Sequence, residues 1–73
     1  MSPNEIEVGK TYHNGKQGPR SYSARKVTEI FDGREGKRIL FLQVSGRYKG
    51  TTETLSLHSF ARWARGEVSQ EKG

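Results

Sequence analysis

The stretch that decides the predicted fold is Arg38-Ile39-Leu40-Phe41-Leu42-Gln43-Val44-Ser45. In an extended chain its apolar side chains fall on both faces, and they are of the β-branched, aromatic and aliphatic types that strands favour. Two apolar faces are typical of a strand inside a sheet, so we predict that Arg38–Ser45 is a central strand. The run Ile39–Leu42 is also the longest apolar run in the chain. It is far too short to span a membrane or to form the core of a signal peptide.

Two further strands are predicted before the central one. Glu5–Val8 alternates polar and apolar residues, which places its two apolar side chains on one face of a short first strand. Tyr22–Phe31 is the second strand, and its loss of strict alternation predicts a bulge near Thr28 and Glu29. The turn signal Asp32-Gly33 then joins it to the central strand as a hairpin.

A fourth strand and a helix are predicted after the central strand. Thr51–Leu55 is rich in threonine, which favours a strand. Ser56 is the predicted N-cap of the helix. One face of that helix follows the i, i+3, i+4, i+7 pattern: Leu57, Phe60, Ala61 and Ala64. Gly66 is its predicted end, and because so short a helix is unstable alone, we expect it to pack on the sheet.

These elements predict a mainly β domain with one short C-terminal α-helix. The form we favour is a small SH3-like barrel of four to five antiparallel strands, because closure hides the sheet edges. The alternative is an α+β open antiparallel sheet capped by the helix. A single domain is expected over residues 5–68, with flexible ends at 1–4 and 69–73. The chain has no cysteine, so disulfides and thiolate metal sites are excluded, and stability must come from packing.

Four segments of the chain carry a resemblance to a group of known proteins. They are Val8–Tyr12, Arg25–Ile30, Ile39–Val44 and Ser56–Ala64. Through these segments, and from about residue 6 to residue 68, the chain resembles small uncharacterised proteins of bacteriophages and mobile elements with an SH3-like barrel. The resemblance implies the barrel fold, a phage or prophage setting and an accessory role.

Side chains suited to catalysis are scarce. His13 lies in a glycine-rich segment and His58 on the polar side of the predicted helix, and neither has neighbours at metal-ligand spacing. Gly9-Lys10-Thr11 matches only the end of a phosphate-binding P-loop, because Asn4 stands where the motif requires its first glycine. We therefore expect a non-enzymatic protein without a metal ion or other cofactor.

The net charge of +5 is concentrated in one part of the sequence. Residues 9–26 contain five cations and no acidic residue, with aromatic side chains among them. A second basic group occupies the predicted turn after the central strand. Cations neutralise phosphates and exposed tyrosine rings stack on unpaired bases, so this pattern predicts binding of DNA or RNA. The predicted contact residues are Lys10, Tyr12, Lys16, Arg20, Tyr22, Arg25, Lys26, Arg47, Tyr48 and Lys49.

Two other interpretations of the same residues stay open. A cationic loop is also typical of a plain solvated surface, and Tyr12 and Tyr22 fit barrel positions with their hydroxyls at the rim. The second is a protein-interaction module, such as a phage-encoded modulator of a host protein. In it Tyr12, Tyr22, Tyr48 and Trp63 line a groove for an acidic protein surface. Under each interpretation we expect a cytoplasmic monomer or weak oligomer without membrane contact.

Overall fold

The computed structural model describes residues 1–18 and 20–68. Its elements, in chain order, are a 3-10 helix (Pro3–Glu5), β1 (Thr11–His13), β2 (Ala24–Gly33), β3 (Gly36–Ser45), β4 (Thr52–Ser56), α1 (Leu57–Trp63) and β5 (Gly66–Glu67). Pro19 of the predicted Gly18-Pro19 turn and the predicted flexible end at 69–73 lie outside the described residues. In the described part of the chain, no helix has the length and apolar character needed to cross a membrane.

All five strands form one antiparallel sheet in the order β4-β3-β2-β1-β5. β3 pairs with β2 on one side and β4 on the other, which confirms that Arg38–Ser45 lies within a central strand. The mainly β prediction with one short helix is also confirmed. The sheet is open, because β4 and β5 form its two edges among the described residues, and it carries the helix on one face. The architecture is therefore the alternative one, an open antiparallel sheet capped by the helix, and not the closed SH3-like barrel.

β2 bends at the predicted bulge. Val27 pairs with Phe41 and Glu29 with the adjacent Leu40, so Thr28 is the extra residue between them. The Thr28 hydroxyl donates a hydrogen bond to the Leu40 carbonyl oxygen at 3.0 Å. A bulge increases the local twist of a strand. Here it lets Val27, before Thr28, and Ile30, after it, pack against the same core.

The core lies between one face of the sheet and α1. Phe60 is fully buried at its centre, and its ring lies 5.9 Å from Tyr12, 5.4 Å from Phe41 and 5.3 Å from Trp63 between centroids. Ser56 caps the helix as predicted, because its hydroxyl accepts a hydrogen bond from the backbone N–H of Ser59 at 3.1 Å. The apolar helix face therefore closes the core as its spacing predicted.

The predicted end of the helix is wrong by three residues. α1 ends at Trp63 with Ala64 as its C-cap, and Gly66 begins β5. The N–H of Arg65 donates to the carbonyl oxygen of His13 at 2.8 Å. This tertiary hydrogen bond draws the chain onto β1, which ends the helix before the glycine.

The predicted first strand at Glu5–Val8 is wrong. Pro3–Glu5 forms a 3-10 helix, because Ser2 and Glu5 make a reciprocal capping box and Pro3 favours a first helical turn. Ile6 is buried, but Val8 is 57% exposed, so the alternation does not correspond to a buried face. The first strand begins later, at Thr11.

Met1, in the segment 1–4 that was predicted to be flexible, contacts the end of the helix. The Met1 nitrogen donates to the carbonyl oxygens of Ala61 at 2.9 Å and Ala64 at 3.0 Å. The Met1 side chain is half-buried against the core. These contacts satisfy helix carbonyls that have no partner within α1.

Tyr12→Phe is expected to lower the free energy of unfolding by about 1–2 kcal/mol, because it removes two hydrogen bonds of a buried hydroxyl. That hydroxyl donates to the Glu5 carbonyl oxygen and accepts from the Glu7 N–H, both at 2.9 Å. The same burial raises the pKa of Tyr12. Urea unfolding measures the loss, and hydrogen exchange of the Glu7 amide should accelerate with it. Unchanged stability and exchange would show that these hydrogen bonds do not hold the N-terminal segment.

Candidate functional site

The β1–β2 loop (residues 14–23) and the β3–β4 turn (residues 46–51) meet at one end of the sheet. Ala24 pairs with Ser45 where the two segments join the sheet. A Cβ atom on Gly46 would lie 3.1 Å from the Ser23 Cβ, and Gly46 has a φ of +108°. Glycine thus permits both the turn and the close approach. The two basic groups of the sequence therefore share one end of the molecule.

A third segment reaches the same end through β5. A Cβ atom on Gly15 would lie 2.7 Å from the Cβ and Cγ atoms of Arg65, so the Arg65 side chain lies against the β1–β2 loop. Arg65 is not among the contact residues predicted from the sequence, because the helix dipole alone is enough to explain a cation near the end of a helix. Only the pairing of β5 with β1 places it here.

We call this surface the basic end. It comprises five exposed cations: Lys16, Arg20, Arg47, Lys49 and Arg65. The segments that carry them, residues 14–18, 20–23, 46–51 and 64–66, contain no acidic residue. No acidic residue of these segments offsets the five charges, so an anion at this surface meets a net positive potential.

The opposite end of β3 has a balanced charge. The β2–β3 hairpin lies about 30 Å away along this ten-residue strand, in a molecule 35 Å long. There Asp32 and Lys37 form an exposed ion pair at 2.8 Å. The hydrogen bond and charge of Lys37 lower the pKa of Asp32. The excess positive charge is therefore not uniform over the surface.

Asn14 organises the β1–β2 loop. Its side-chain Nδ2 donates to the Ser21 carbonyl oxygen at 2.8 Å. Its Oδ1 accepts from the backbone N–H groups of Lys16 at 3.1 Å and Ser23 at 3.3 Å. The Asn14 side chain thus makes hydrogen bonds of the kind that a neighbouring strand would otherwise make, and it fixes the backbone around Lys16.

Asn14→Ala is expected to loosen the loop without unfolding the domain. The Lys16 and Ser23 amides lose their acceptor, so their hydrogen exchange should become several-fold faster, with a loss of unfolding free energy of about 1 kcal/mol. NMR hydrogen exchange measures this change. The matched control is Asn4→Ala, at an exposed position of the 3-10 helix. Equal exchange rates in the variant and the parent protein would contradict the role assigned to Asn14.

Two tyrosines accompany the cations. Tyr48 is 57% exposed in the β3–β4 turn, with the Arg47 guanidinium carbon 6.0 Å from its ring centroid. Tyr22 is half-buried and stacks on His13, with centroids 6.1 Å apart and ring planes 25° apart. Tyr48 therefore presents a free ring face, and Tyr22 presents part of one.

Three predicted contact residues lie away from this surface. Tyr12 is fully buried, so its ring is not available to a ligand, which corrects its predicted role. Lys10 forms ion pairs with Glu7 at 3.3 Å and Glu67 at 3.6 Å. Its charge is already balanced, and the hydrogen bond that it donates to the Glu7 carboxylate raises the pKa of Lys10. Lys26 is exposed on β2, where it pairs with Thr11 and Leu42 rather than with either loop.

Arg25 occupies an intermediate position. It is half-buried and pairs with Tyr12 and Gln43, one residue from the point where β2 joins the basic end. Its guanidinium carbon lies 4.1 Å from the ring centroid of Trp63. Arg25 therefore lies at the edge of the core and not on either loop.

Other kinds of site find less support in the described residues. In residues 1–18 and 20–68, no group of three or more His, Asp or Glu side chains is placed to hold a metal ion. A shallow hollow lies between the β2–β3 hairpin and the start of α1, far from the basic end. Comparison of the chain with protein-family models, curated proteins and solved structures gives no match.

Proposed function

We propose that the protein binds nucleic acid through the basic end, without catalysing a reaction. The observation that carries this proposal is the meeting of the two loops and the α1–β5 corner. It brings together five exposed cations from segments without an acidic residue. A nucleic-acid strand offers closely spaced phosphates, and cations that replace its condensed counterions gain free energy from their release. Phosphates are common to DNA and RNA, so the proposal includes both.

The exposed Tyr48 ring favours a single strand as the ligand. Stacking of a base on an aromatic side chain contributes about 1–3 kcal/mol, but it requires a base that is not enclosed in a duplex. Base-specific reading of a duplex usually places a helix in the major groove. α1 has seven residues, and its apolar face is buried in the core. We therefore expect little dependence on base sequence.

Fluorescence anisotropy with a labelled single strand of about 12 nucleotides tests this function, because that length suits a small binding surface. The duplex of the same sequence is the comparison. We expect tighter binding of the single strand and a slope of log K against log salt of about −3.5, from five cations at about 0.7 each. Affinity should then fall about 100-fold between 50 and 200 mM salt. Absence of binding at the lowest salt, or a slope near zero, would refute the proposal.

A second candidate function, binding of a protein, is favoured by the outer face of the sheet. Phe31, Leu40 and Leu42 are half-buried on the face opposite the core, where the described part of the chain places no helix or strand over them. The groove of four aromatic residues predicted from the sequence does not form, since Tyr12 is buried. Binding through the outer face should resist salt, because burial of apolar surface is not screened.

Analytical ultracentrifugation from micromolar to millimolar concentration tests whether the outer face binds a protein. The partner in this experiment is a second copy of the chain. Association that persists in high salt and is abolished by Leu42→Ser would support this candidate. A monomer at every concentration would leave self-association without support. Leu42→Ser should leave oligonucleotide affinity unchanged under the first proposal, since Leu42 is uncharged and lies outside the segments that form the basic end.

A further inference from the structure

The side chain of Arg25 lies against two aromatic rings. Its guanidinium carbon lies 4.7 Å from the ring centroid of Phe41 and 4.1 Å from that of Trp63. Phe41 is fully buried and Trp63 is half-buried against the core. Contact with aromatic rings restrains a guanidinium group through its face, while its N–H donors lie in the plane of the group and point away from the rings.

The donors of Arg25 have no partner among residues 1–18 and 20–68. Its Nε is buried without a hydrogen-bond acceptor. The ion pairs formed by those residues involve Lys10 and Lys37 and not Arg25. Burial lowers the pKa of Arg25, and the charge of Glu53 opposes that effect from beyond ion-pair distance. The Nε atom itself is enclosed, so an anion would bind the two terminal nitrogens of the guanidinium group, which make no hydrogen bond to the described residues and can donate charge-assisted hydrogen bonds to it.

The position of Arg25 connects it to the basic end. The neighbouring residue, Ala24, pairs with Ser45 where the two loops join the sheet. Trp63 ends α1, two residues before Arg65 of the basic end. Arg25 is thus adjacent, in strand register and along the chain, to the segments that form the basic end.

We propose that Arg25, Trp63 and Phe41 form an oxyanion subsite that binds a phosphate group of the nucleic-acid strand. This inference rests on the proposed function and adds a dedicated contact to it. The guanidinium fork matches two phosphate oxygens, and its fixed plane means that little side-chain freedom is lost on binding. The partly desolvated setting strengthens the charge interaction relative to an exposed lysine.

The fluorescence of Trp63 reports occupancy of this subsite directly, because it is the single tryptophan of the chain. The whole chain is titrated with inorganic phosphate, with a nucleoside monophosphate and with the single strand used for anisotropy. We expect a saturable change in Trp63 emission with the single strand, at the midpoint that anisotropy gives. A response to the two small ligands only at much higher concentration identifies the strand phosphate, held also by the basic end, as the ligand.

Arg25→Lys tests whether binding requires the paired N–H donors of the guanidinium group or only its positive charge. It should lower affinity for the single strand about tenfold and abolish the Trp63 response, while the salt slope stays the same because the charge is kept. The matched control is Arg38→Lys, a half-buried arginine on β3 that hydrogen-bonds Thr54. The control should change neither measurement.

Glu53→Gln keeps Arg25 in place and so tests the subsite even where Arg25→Lys disturbs folding. Glu53 lies opposite Phe41 in the register of β4 with β3, and its charge acts on Arg25. Removal of that charge should tighten strand binding several-fold. Two results would overturn the subsite and leave the proposed function intact. One is strand binding, measured by anisotropy, without a change in Trp63 emission. The other is an affinity of Arg25→Lys for the strand equal to that of the parent protein. An Arg25-dependent response to inorganic phosphate without strand binding supports the subsite and refutes the proposed function.

Discussion

Phe60→Ala is expected to leave the domain largely unfolded. Phe60 is fully buried and is the residue through which the rings of Tyr12, Phe41 and Trp63 meet. Removal of a buried phenylalanine side chain typically costs about 3–5 kcal/mol, from lost transfer free energy and the remaining cavity. A domain of 73 residues has a total stability of roughly 4–11 kcal/mol, and a small core places it near the lower end.

Thermal unfolding followed by circular dichroism measures this effect. The matched control is Tyr48→Ala, which truncates an exposed aromatic side chain and should change stability by less than about 0.5 kcal/mol. A cooperative transition for Phe60→Ala at the parent midpoint would contradict the position of Phe60 in the core.

Neutralisation of four cations of the basic end is expected to abolish most binding of a single strand. The variant carries Lys16→Gln, Arg20→Gln, Arg47→Gln and Lys49→Gln, all at exposed positions. Its salt slope should become shallower by about 2.8, and its affinity at low salt should fall at least 100-fold. Its stability should stay near that of the parent, because exposed charges contribute little to folding.

A control with the same net charge separates the basic end from the overall charge. It carries Lys10→Gln, Arg34→Gln, Lys37→Gln and Arg62→Gln, which lie outside the two loops. We expect it to retain most of the affinity, with a reduction caused only by the weaker long-range field. Equal loss in the two variants would mean that net charge, and not this surface, attracts the strand.

Several features of the fold could be predicted because their signals are local. The two apolar faces of β3, the extra residue at Thr28 and the N-cap at Ser56 each depend on a few neighbouring side chains. β5 has two residues and no periodic pattern, so nothing in its sequence distinguishes it from a loop. At Pro3–Glu5 the capping pair Ser2 and Glu5 is also a local signal, but it overlaps the polar–apolar alternation of Glu5–Val8, which predicts a strand.

The candidate site could be predicted in composition but not in arrangement. The sequence placed Lys16, Arg20 and the Arg47–Lys49 group on loops, where they are exposed. Their meeting depends on the register of β2 with β3, which brings Gly46 against Ser23. Lys10 is removed from the site by an ion pair with Glu67, a residue at the other end of the sequence. Long-range contacts of this kind leave no local signal.

Mapping of amide chemical shifts with a short single strand at low salt tests the central claim most directly. Binding at the basic end predicts shifts in residues 14–18, 20–23, 46–51 and at Arg65, which diminish steeply as salt is raised. The hairpin residues 33–36, at the opposite end of β3, should not move. An unchanged spectrum at low salt, or shifts confined to the hairpin end, would contradict the claim that this surface binds nucleic acid.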